Sequence, residues 1–339
     1  MKATKFYCSV LVLILFSCKS KNENQFFTIF GEAQGSTYNI KYIAEQKLVK
    51  KQQIDSLLTA FDNSLSTYQS NSLISKINAG DSTVVIDNWF EETFKISNKI
   101  YLETNGLFDP TIGVLVNAYG FGPNHQHQNL SQKQIDSLLT FVGFNKVKLN
   151  ANKTISKKHA ETYFDFNAIA QGYSVDVVVQ FLKAKGINNA IVEIGGELFA
   201  LGKNTIKNKN WIVGIDDPLQ NSKQERKLIH TVKLENLSLA TSGNYRKVII
   251  DSITGKKFVH TINPKTGKPQ KSNILSVSVL APKCVLADGY ATAFMVMNLD
   301  EGKIFAKQHS ELSVLILYVD ENNNLQTFTT KNFEQLILD

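Results

Sequence analysis

The sequence predicts an α+β fold, with mixed sheets and packed helices in a single large domain of two lobes. Strand-like and helix-like segments follow one another irregularly, which favours α+β over a doubly wound α/β sheet. The 339 residues are 43% hydrophobic and 20% charged, a globular composition that can bury a large core. Proline and glycine are spread evenly along the chain, so no linker divides it into independent domains.

Short β-like runs predict the strands. Residues 26–33 and 37–43 form a strand pair joined around Gly35 and Ser36. Strand-like runs then dominate between residues 190 and 280, and residues 312–318 form the last clear strand. The runs between 190 and 280 include residues 190–194, 211–215, 248–250 and 276–280.

Apolar residues at helical spacing predict the main helices. The apolar stripes are Ile54, Leu57, Leu58 and Phe61; Phe90, Phe94, Ile96, Ile100 and Tyr101 after a possible Asn88 cap; and Ile169, Tyr173, Val177 and Phe181 in a helix that ends near Gly186. Another helix begins at Ser131, with Gln134 three residues on as in a capping box, and stops at Gly143. Residues 284–297 form one more helix.

The N-terminus predicts export and a lipid anchor. Two lysines in the first five residues precede an uncharged apolar run, residues 6–16, which is too short to span a bilayer. Ser17 and Cys18 follow in a pattern that resembles the bacterial lipobox, so we expect residues 1–17 to be a lipoprotein signal peptide and Cys18 to be lipidated. An ordinary signal peptide is the alternative. Residues 18–25 are polar and predict a flexible tether, which leaves residues 26–339 as the folded domain.

Cysteine content and charge exclude several classes of protein. Cys8 would leave with the signal peptide, so Cys284 is the one cysteine besides the anchor, and an internal disulfide is excluded. Cys284 itself is expected to be a small buried residue. No paired Cys/His spacing predicts a zinc site. The formal net charge is +7, but the lysines are scattered and the chain is exported, so we expect no nucleic acid partner.

Two glycine-containing segments are candidate phosphate sites. Residues 167–173 open a predicted helix, whose free N–H groups and dipole attract anions. Gly195 and Gly196 follow a strand, where a missing side chain lets a ligand approach the backbone. Neither segment matches a dinucleotide or P-loop pattern, and each alone is more typical of a turn.

The start of the last predicted helix carries a candidate cation site. Asp288 and Thr292 are four residues apart, so both side chains lie on one helix face. With a nearby backbone carbonyl they form a hard-oxygen set suited to magnesium. The alternative is an acidic residue that stabilises the helix dipole beside a packed threonine. His260 ends a strand and is a candidate general base, whereas Asp109 could simply cap the following helix.

Read together, a series of motifs resembles the ApbE family of flavin transferases. The motifs occur in the family's order, at residues 34–38, 61–68, 106–113, 119–122, 165–176, 195–198, 211–218 and 240–245, in the turn after His260, and at residues 288–292. The resemblance runs from about Phe26 to past Thr292 and implies an ApbE-like, T-fold-related domain. The chain departs from the family pattern at Gln34 for Met, Asn167 for Gly, Gln171 for Lys, Asn263 for Asp and Tyr119 for Trp.

The resemblance implies a magnesium-dependent enzyme that takes FAD as substrate. FMN would pass from FAD to a threonine or serine hydroxyl of exported target proteins, with release of AMP. The implied magnesium ligands are the Ala170 carbonyl, the Asp288 carboxylate and the Thr292 hydroxyl, and the implied catalytic residues are His260 and, as its rival, Asp288. The implied flavin and adenine contacts are Ser36, Tyr68, Phe108, Asp109, Thr111, Gly195, Gly196, Glu197, Thr241, Ser242 and Ile262.

Three other functions remain open on the sequence alone. The same residues could serve an FAD pyrophosphatase that gives FMN and AMP, or a non-catalytic FAD-binding lipoprotein. A basic surface lipoprotein that binds polyanions would hold no flavin. By family analogy, the expected acceptors are exported subunits of electron-transport complexes, and the expected location is the inner membrane facing the periplasm.

Overall fold

The computed structural model describes residues 23–123, 129–220, 226–243, 248–250, 257–259, 261–270 and 272–338. Cys18 and His260 lie outside these residues. No helix in the described ranges is long and apolar enough to cross a membrane.

The described residues form fourteen strands and nine α-helices. The strands are β1 (Gln25–Ala33), β2 (Ser36–Ala44), β3 (Val147–Leu149), β4 (Ile155–Lys157), β5 (Ala190–Ile194), β6 (Glu197–Leu201), β7 (Trp211–Asp216), β8 (Leu228–Leu234), β9 (Leu237–Gly243), β10 (Val248–Ile250), β11 (Lys257–Val259), β12 (Ile274–Ala281), β13 (Ser313–Val319) and β14 (Leu325–Thr329). The helices are α1 (Lys51–Leu65), α2 (Leu73–Asn78), α3 (Asn88–Glu103), α4 (Gly113–Ala118), α5 (Gln132–Leu139), α6 (Asn167–Ala184), α7 (Cys284–Val296), α8 (Leu299–Gln308) and α9 (Lys331–Glu334).

An antiparallel sheet of eight strands forms the centre of the fold, in the order β1-β2-β5-β6-β9-β12-β13-β14. The first two strands form the predicted hairpin, in which Ala33 pairs with Ser36. Gln34 and Gly35 between them have φ of 55° and 70°, the left-handed backbone that a two-residue hairpin turn requires. This turn fixes the register of the sheet edge.

Helices cover one face of the sheet and a strand pair covers the other. α6 packs on β5 and β6, and α7 packs on β9 and β12. Both helices are apolar on nearly all sides, as expected of helices buried between a sheet and a further layer. The opposite face is covered by the β7–β8 hairpin, whose Trp211, Val213 and Val232 pack against Leu198 and Leu280.

The second lobe is built around aromatic side chains beyond α6. Phe90 and Phe94 of α3 contact Phe164, and Phe94 also contacts Phe144. A smaller cluster joins α4 and α5 to the segment that contains Ile262. The start of α6 lies between the sheet and this lobe, because Phe166 and Ile169 belong to the same core cluster as the aromatic residues.

The α+β fold class is confirmed, and the structure corrects several boundaries. The cap of α3 is Asp87, whose carboxylate accepts the N–H of Phe90, and not Asn88. The capping box at Ser131 is confirmed, but its helix already ends at Leu139. Residues 313–319 are not the last strand, because β14 pairs with them. β14 escaped prediction because its sequence is polar and half exposed.

Candidate active site

A glycine lets the helices α6 and α7 approach each other closely. A Cβ atom on Gly172 would lie 2.5 Å from the carbonyl oxygen of Cys284 and 2.6 Å from the Cβ of Asp288. Any side chain at this position would therefore force the two helices apart. Both candidate segments, residues 167–173 and residues 288–292, thus meet at one interface.

Asp288 is buried at this interface and is held by the backbone of α6. Its Oδ2 accepts the N–H of Gly172 at 2.8 Å, while Oδ1 accepts no hydrogen bond from the described residues. Burial raises the pKa of Asp288 to about 7, against the lowering effect of that hydrogen bond. A bound cation would therefore stabilise the charged form of this carboxylate and lower its pKa.

Two further oxygen atoms lie beside Thr292, one helical turn after Asp288. The hydroxyl of Thr292 lies 3.5 Å from the carbonyl oxygen of Ala168 and 3.4 Å from the hydroxyl of Ser242 on β9. In a regular helix the N–H of Gly172 would bond the carbonyl of Ala168, but here it also serves Asp288. The carbonyl next to the Thr292 hydroxyl is thus that of Ala168, two residues before the implied ligand Ala170.

A second buried carboxylate orients α7. Asp176 of α6 accepts the N–H of Cys284 at 2.9 Å through Oδ1 and that of Val285 at 2.9 Å through Oδ2. These are two of the N–H groups that a helix start leaves without an intrahelical partner. Burial raises the pKa of Asp176 to about 6. Cys284 is buried as expected, with its thiol 3.6 Å from the carbonyl oxygen of Leu198.

The Gly195–Gly196 turn lies against the start of α6. Gly195 and Gly196 have φ of 63° and 108°, and a Cβ on Gly195 would lie 1.9 Å from Nε2 of Gln171. The left-handed backbone favours glycine here, whereas the flexible glutamine side chain could move away from an added Cβ. Glu197, the first residue of β6, is buried behind this turn.

The β1–β2 turn joins the same region through side-chain hydrogen bonds. Gln34 donates from Nε2 to Asp62 of α1 at 3.3 Å, and its Oε1 accepts from the Ser174 hydroxyl at 3.1 Å. The Ser174 hydroxyl also lies 2.6 Å from the Gln171 carbonyl oxygen. Ser36 begins β2 directly after this turn. The hairpin turn, the start of α6 and the Gly195 turn therefore converge.

On the second lobe, the predicted residues around Asp109 are buried in the protein. The Asp109 Oδ1 accepts the N–H and hydroxyl of Thr111, and its Oδ2 accepts the N–H of Phe144 at 3.2 Å. Burial raises the pKa of Asp109 to about 6. Asp109 does not cap α4, whose N-cap is Ile112. Phe108 is buried in the aromatic core.

The remaining predicted contacts divide between the two lobes. Tyr68 is more than half exposed. The partial burial of its side chain raises its pKa, and the charge of Asp165 raises it further. Ile262 is buried in the cluster beside α4. Thr241 lies on β9 next to Ser242, with its hydroxyl 2.8 Å from that of Ser278. The structure thus gathers Asp288, Thr292, Ser242 and the glycine turn on one side, and the Asp109 segment on the other.

Two residues of this site were missed by sequence reasoning. Gly172 and Ala168 stood inside a predicted phosphate segment, but neither was assigned a role of its own. The signal for Gly172 is its position inside an apolar predicted helix, where a glycine often marks close packing with a neighbour. A buried carboxylate beside hydroxyls and a backbone carbonyl suits a magnesium ion that holds phosphate groups, as in enzymes that act on phosphates.

Comparison with known proteins agrees with this class. The sequence profile described as the ApbE family matches residues 34–316. The FAD:protein FMN transferase of Haemophilus influenzae is 31% identical over 338 residues, which cover 96% of this chain and 95% of the relative. The structure of the flavin transferase ApbE from Vibrio cholerae superposes with a TM-score of 0.81 and 29% identity, over 93% of this chain and 100% of the other.

The flavinyl transferase ApbE of Pseudomonas stutzeri gives the same TM-score of 0.81, at 28% identity and over 92% of this chain and 97% of the other. The chain belongs to the ApbE family. The resemblance read from the motifs is confirmed.

Proposed function

We propose that this protein transfers FMN from FAD to a threonine or serine hydroxyl of exported proteins, with magnesium on the FAD pyrophosphate and release of AMP. The flavin transferase activity follows from homology along nearly the whole chain. The magnesium dependence and the acceptor hydroxyl are the finer parts of the proposal. The meeting of Asp288, Thr292 and the start of α6 around Gly172 supports the magnesium, and the acceptor hydroxyl follows from the family resemblance alone.

The oxygens at this meeting point fit a magnesium ion. The ligands would be the Asp288 carboxylate, the Thr292 hydroxyl and a carbonyl of the first turn of α6, either Ala168 or Ala170. One carboxylate with neutral oxygens is a set that magnesium accepts when waters and substrate phosphates complete its shell. Among the described residues, no three His, Cys, Asp or Glu side chains form a metal cluster. The site would therefore depend on the phosphates of FAD for its remaining ligands.

The reaction needs one bond made and one broken. The acceptor hydroxyl oxygen attacks the phosphorus on the FMN side of the pyrophosphate, the bond to the AMP oxygen breaks, and the hydroxyl proton passes to a base. Magnesium would neutralise charge on the pyrophosphate. In the first turn of α6, Asn167 donates its N–H to Asp165, and Ile169 and Ala170 donate theirs to the Phe166 carbonyl, so the Ala168 N–H is the one that would reach a phosphate. We assign the base to His260, which lies outside the described residues, with Asp288 as the rival.

Two other proposals come from the sequence. Export and lipidation at Cys18 would place the enzyme on the inner membrane facing the periplasm, next to exported subunits of electron-transport complexes as acceptors. The FAD pyrophosphatase alternative differs only in that water replaces the acceptor hydroxyl. The non-catalytic FAD-binding alternative is disfavoured, because Asp288 and Thr292 are retained and lie at one interface.

The proposal is tested with the chain from Asn22 onward, incubated with FAD, magnesium and an exported electron-transport subunit that carries an acceptor threonine. We expect a fluorescent protein band that survives denaturation and is lost when the acceptor threonine is changed to alanine. EDTA should abolish the attachment of FMN to the acceptor, and excess magnesium should restore it. Accumulation of AMP and free FMN without labelled protein would instead establish the pyrophosphatase.

A further inference from the structure

We propose that an extended segment of the acceptor protein binds as an added strand on the outer edge of β1, in a groove between β1 and α1. The inference rests on the proposed function, because it names where the protein substrate of that reaction docks. It concerns a surface outside the flavin and metal residues described above.

The outer edge of β1 offers free backbone groups. β1 is the first strand of the sheet, and within the described residues no strand pairs with its outer side. Because Ala33 and Ser36 flank a two-residue turn, they form a hydrogen-bonded pair, and every second residue back from Ala33 does the same. Thr28, Phe30 and Glu32 therefore direct their N–H and C=O groups outward.

A helix runs alongside this edge and completes a groove. A cavity of about 460 Å³ lies between Phe30–Ala33 of β1 and one stripe of α1. The α1 residues that line the cavity are Lys51, Asp55, Leu58, Thr59 and Asp62. Lys51, Asp55, Leu58 and Asp62 recur at intervals of three and four residues and form one face of the helix, with Thr59 at its margin. A strand edge beside a helix is a geometry in which proteins bind extended peptides by strand addition.

The edge lacks the usual protection against pairing. Exposed edge strands are commonly blunted by proline, lysine or a bulge, which prevents association with other chains. β1 is nine residues long, has neither proline nor lysine, and pairs with β2 without a register shift. At its middle, Phe30 is 60% exposed. A long regular edge with an exposed aromatic side chain is suited to binding another strand.

The charge of the groove defines the partner further. Lys51 and Asp55 form an ion pair at 2.8 Å, and Tyr38 donates its hydroxyl to the same Asp55. Glu32 and Asp62 remain as acidic groups along the groove, although the whole chain carries a formal charge of +7. Because side chains alternate along β1, Glu32 lies on the same sheet face as Phe30, whereas Asp62 lies on the face that α1 covers. We therefore expect an extended segment with an apolar side chain over Phe30 and with basic side chains near Glu32 on one face and near Asp62 on the other.

The position of the groove favours the acceptor over a second copy of this chain. Asp62 lies at one end of the groove and accepts the hydrogen bond of Gln34. Gln34 in turn contacts Ser174, which contacts the Gln171 carbonyl at the start of α6. A strand bound to β1 therefore runs toward the candidate active site, where the acceptor must present its hydroxyl.

The first test blocks the edge without breaking the sheet. Phe30→Pro removes one outward N–H, and edge strands tolerate proline at such positions. With the exported subunit labelled by the wild-type enzyme, we expect the KM for that subunit to rise about tenfold, with kcat and the Kd for FAD within twofold. Leu102→Thr, which removes an apolar side chain 66% exposed on α3, is the matched control and should change none of them. An unchanged KM in a folded Phe30→Pro variant overturns the proposal.

The second test does not depend on turnover or on the stability of the proline variant. A photo-crosslinking amino acid at Phe30 should join the full chain covalently to the subunit, and the same amino acid at Leu102 should not. The crosslink reports binding alone, so it is expected even if no flavin is transferred. A failure of the proposed function can therefore be distinguished from a failure of docking. Crosslinks from Phe30 only to a second copy of this chain, or none to the subunit, overturn the proposal.

Discussion

The two sides of the candidate active site are built in opposite ways. At the α6–α7 interface, backbone N–H groups hold buried carboxylates, and Gly172 leaves no room for a side chain. At the β1–β2 turn, side-chain amides and hydroxyls make the contacts, and an open groove follows. We therefore expect the first side to fix atoms for chemistry and the second side to adapt to a protein substrate.

The strongest test of the rigid side is Gly172→Ala. The added Cβ meets backbone and Cβ atoms, so the helices must separate and Asp288 must move. We expect a loss of about 2–3 kcal/mol in the free energy of unfolding and no measurable transfer of FMN. Gly302→Ala in α8 is the control, because its nearest atoms are 3.5 Å away, and it should gain about 0.5–1 kcal/mol. Wild-type transfer by Gly172→Ala would show that the interface need not be tight.

Asp288→Asn should move activity and stability in opposite directions. The folded protein holds a proton on Asp288 up to about pH 7, whereas an unfolded chain releases it near its ordinary pKa of about 4. Without magnesium, wild-type stability should therefore fall as pH rises between these values, by about 1 kcal/mol per pH unit. The asparagine variant should lose the part of this pH dependence that Asp288 contributes, keep the part from the buried Asp109 and Asp176, and be more stable than wild type at pH 8 in EDTA, yet transfer no FMN.

Urea unfolding at pH 5 and pH 8, with EDTA or magnesium, measures this effect. Asp176→Asn is the comparison, since its carboxylate accepts two N–H groups and one of them would lose its partner. It should be destabilised at both pH values. A steeper pH dependence in Asp288→Asn than in wild type would contradict the assignment.

The smallest effect is expected at the adaptable side, from Gln34→Met. Methionine is the usual family residue at this position, and only side-chain bonds to Asp62 and Ser174 are lost. We expect a change of less than about 1 kcal/mol in unfolding free energy and less than threefold in transfer rate. The rate is measured by stopping the reaction at timed intervals and quantifying the flavin-labelled acceptor, for wild type and for Gln34→Met. A loss of transfer rate greater than tenfold would show that Gln34 has a fixed role like that of the residues at the α6–α7 interface.

Regular elements with a strong apolar pattern were predictable from the sequence. α1, α3 and α6 and the β1–β2 hairpin follow helical spacing or alternation, and the structure confirms them. β6 is buried at every position, so it has no alternation to read. Its placement depends on its neighbours in the sheet.

The site was predictable in its residue types but not in its contacts. The four-residue spacing made Asp288 and Thr292 a candidate pair, and the family resemblance favoured magnesium over the alternative of an acidic residue that stabilises the helix dipole. The carbonyl beside Thr292 belongs to Ala168, 124 residues earlier, and no local pattern reports such a contact. Likewise, Asp109 looked like a helix cap, but its Oδ2 binds the backbone of Phe144, 35 residues away.

The contact between Asp176 and the start of α7 has a consequence for how the protein folds. The α7 helix has no side-chain cap of its own, and the carboxylate that serves it comes from 108 residues earlier in the chain. The helix that carries Asp288 and Thr292 is therefore completed only after long-range docking, which costs chain entropy and slows folding. The candidate active site should be among the last parts of the molecule to acquire protection from hydrogen exchange during refolding.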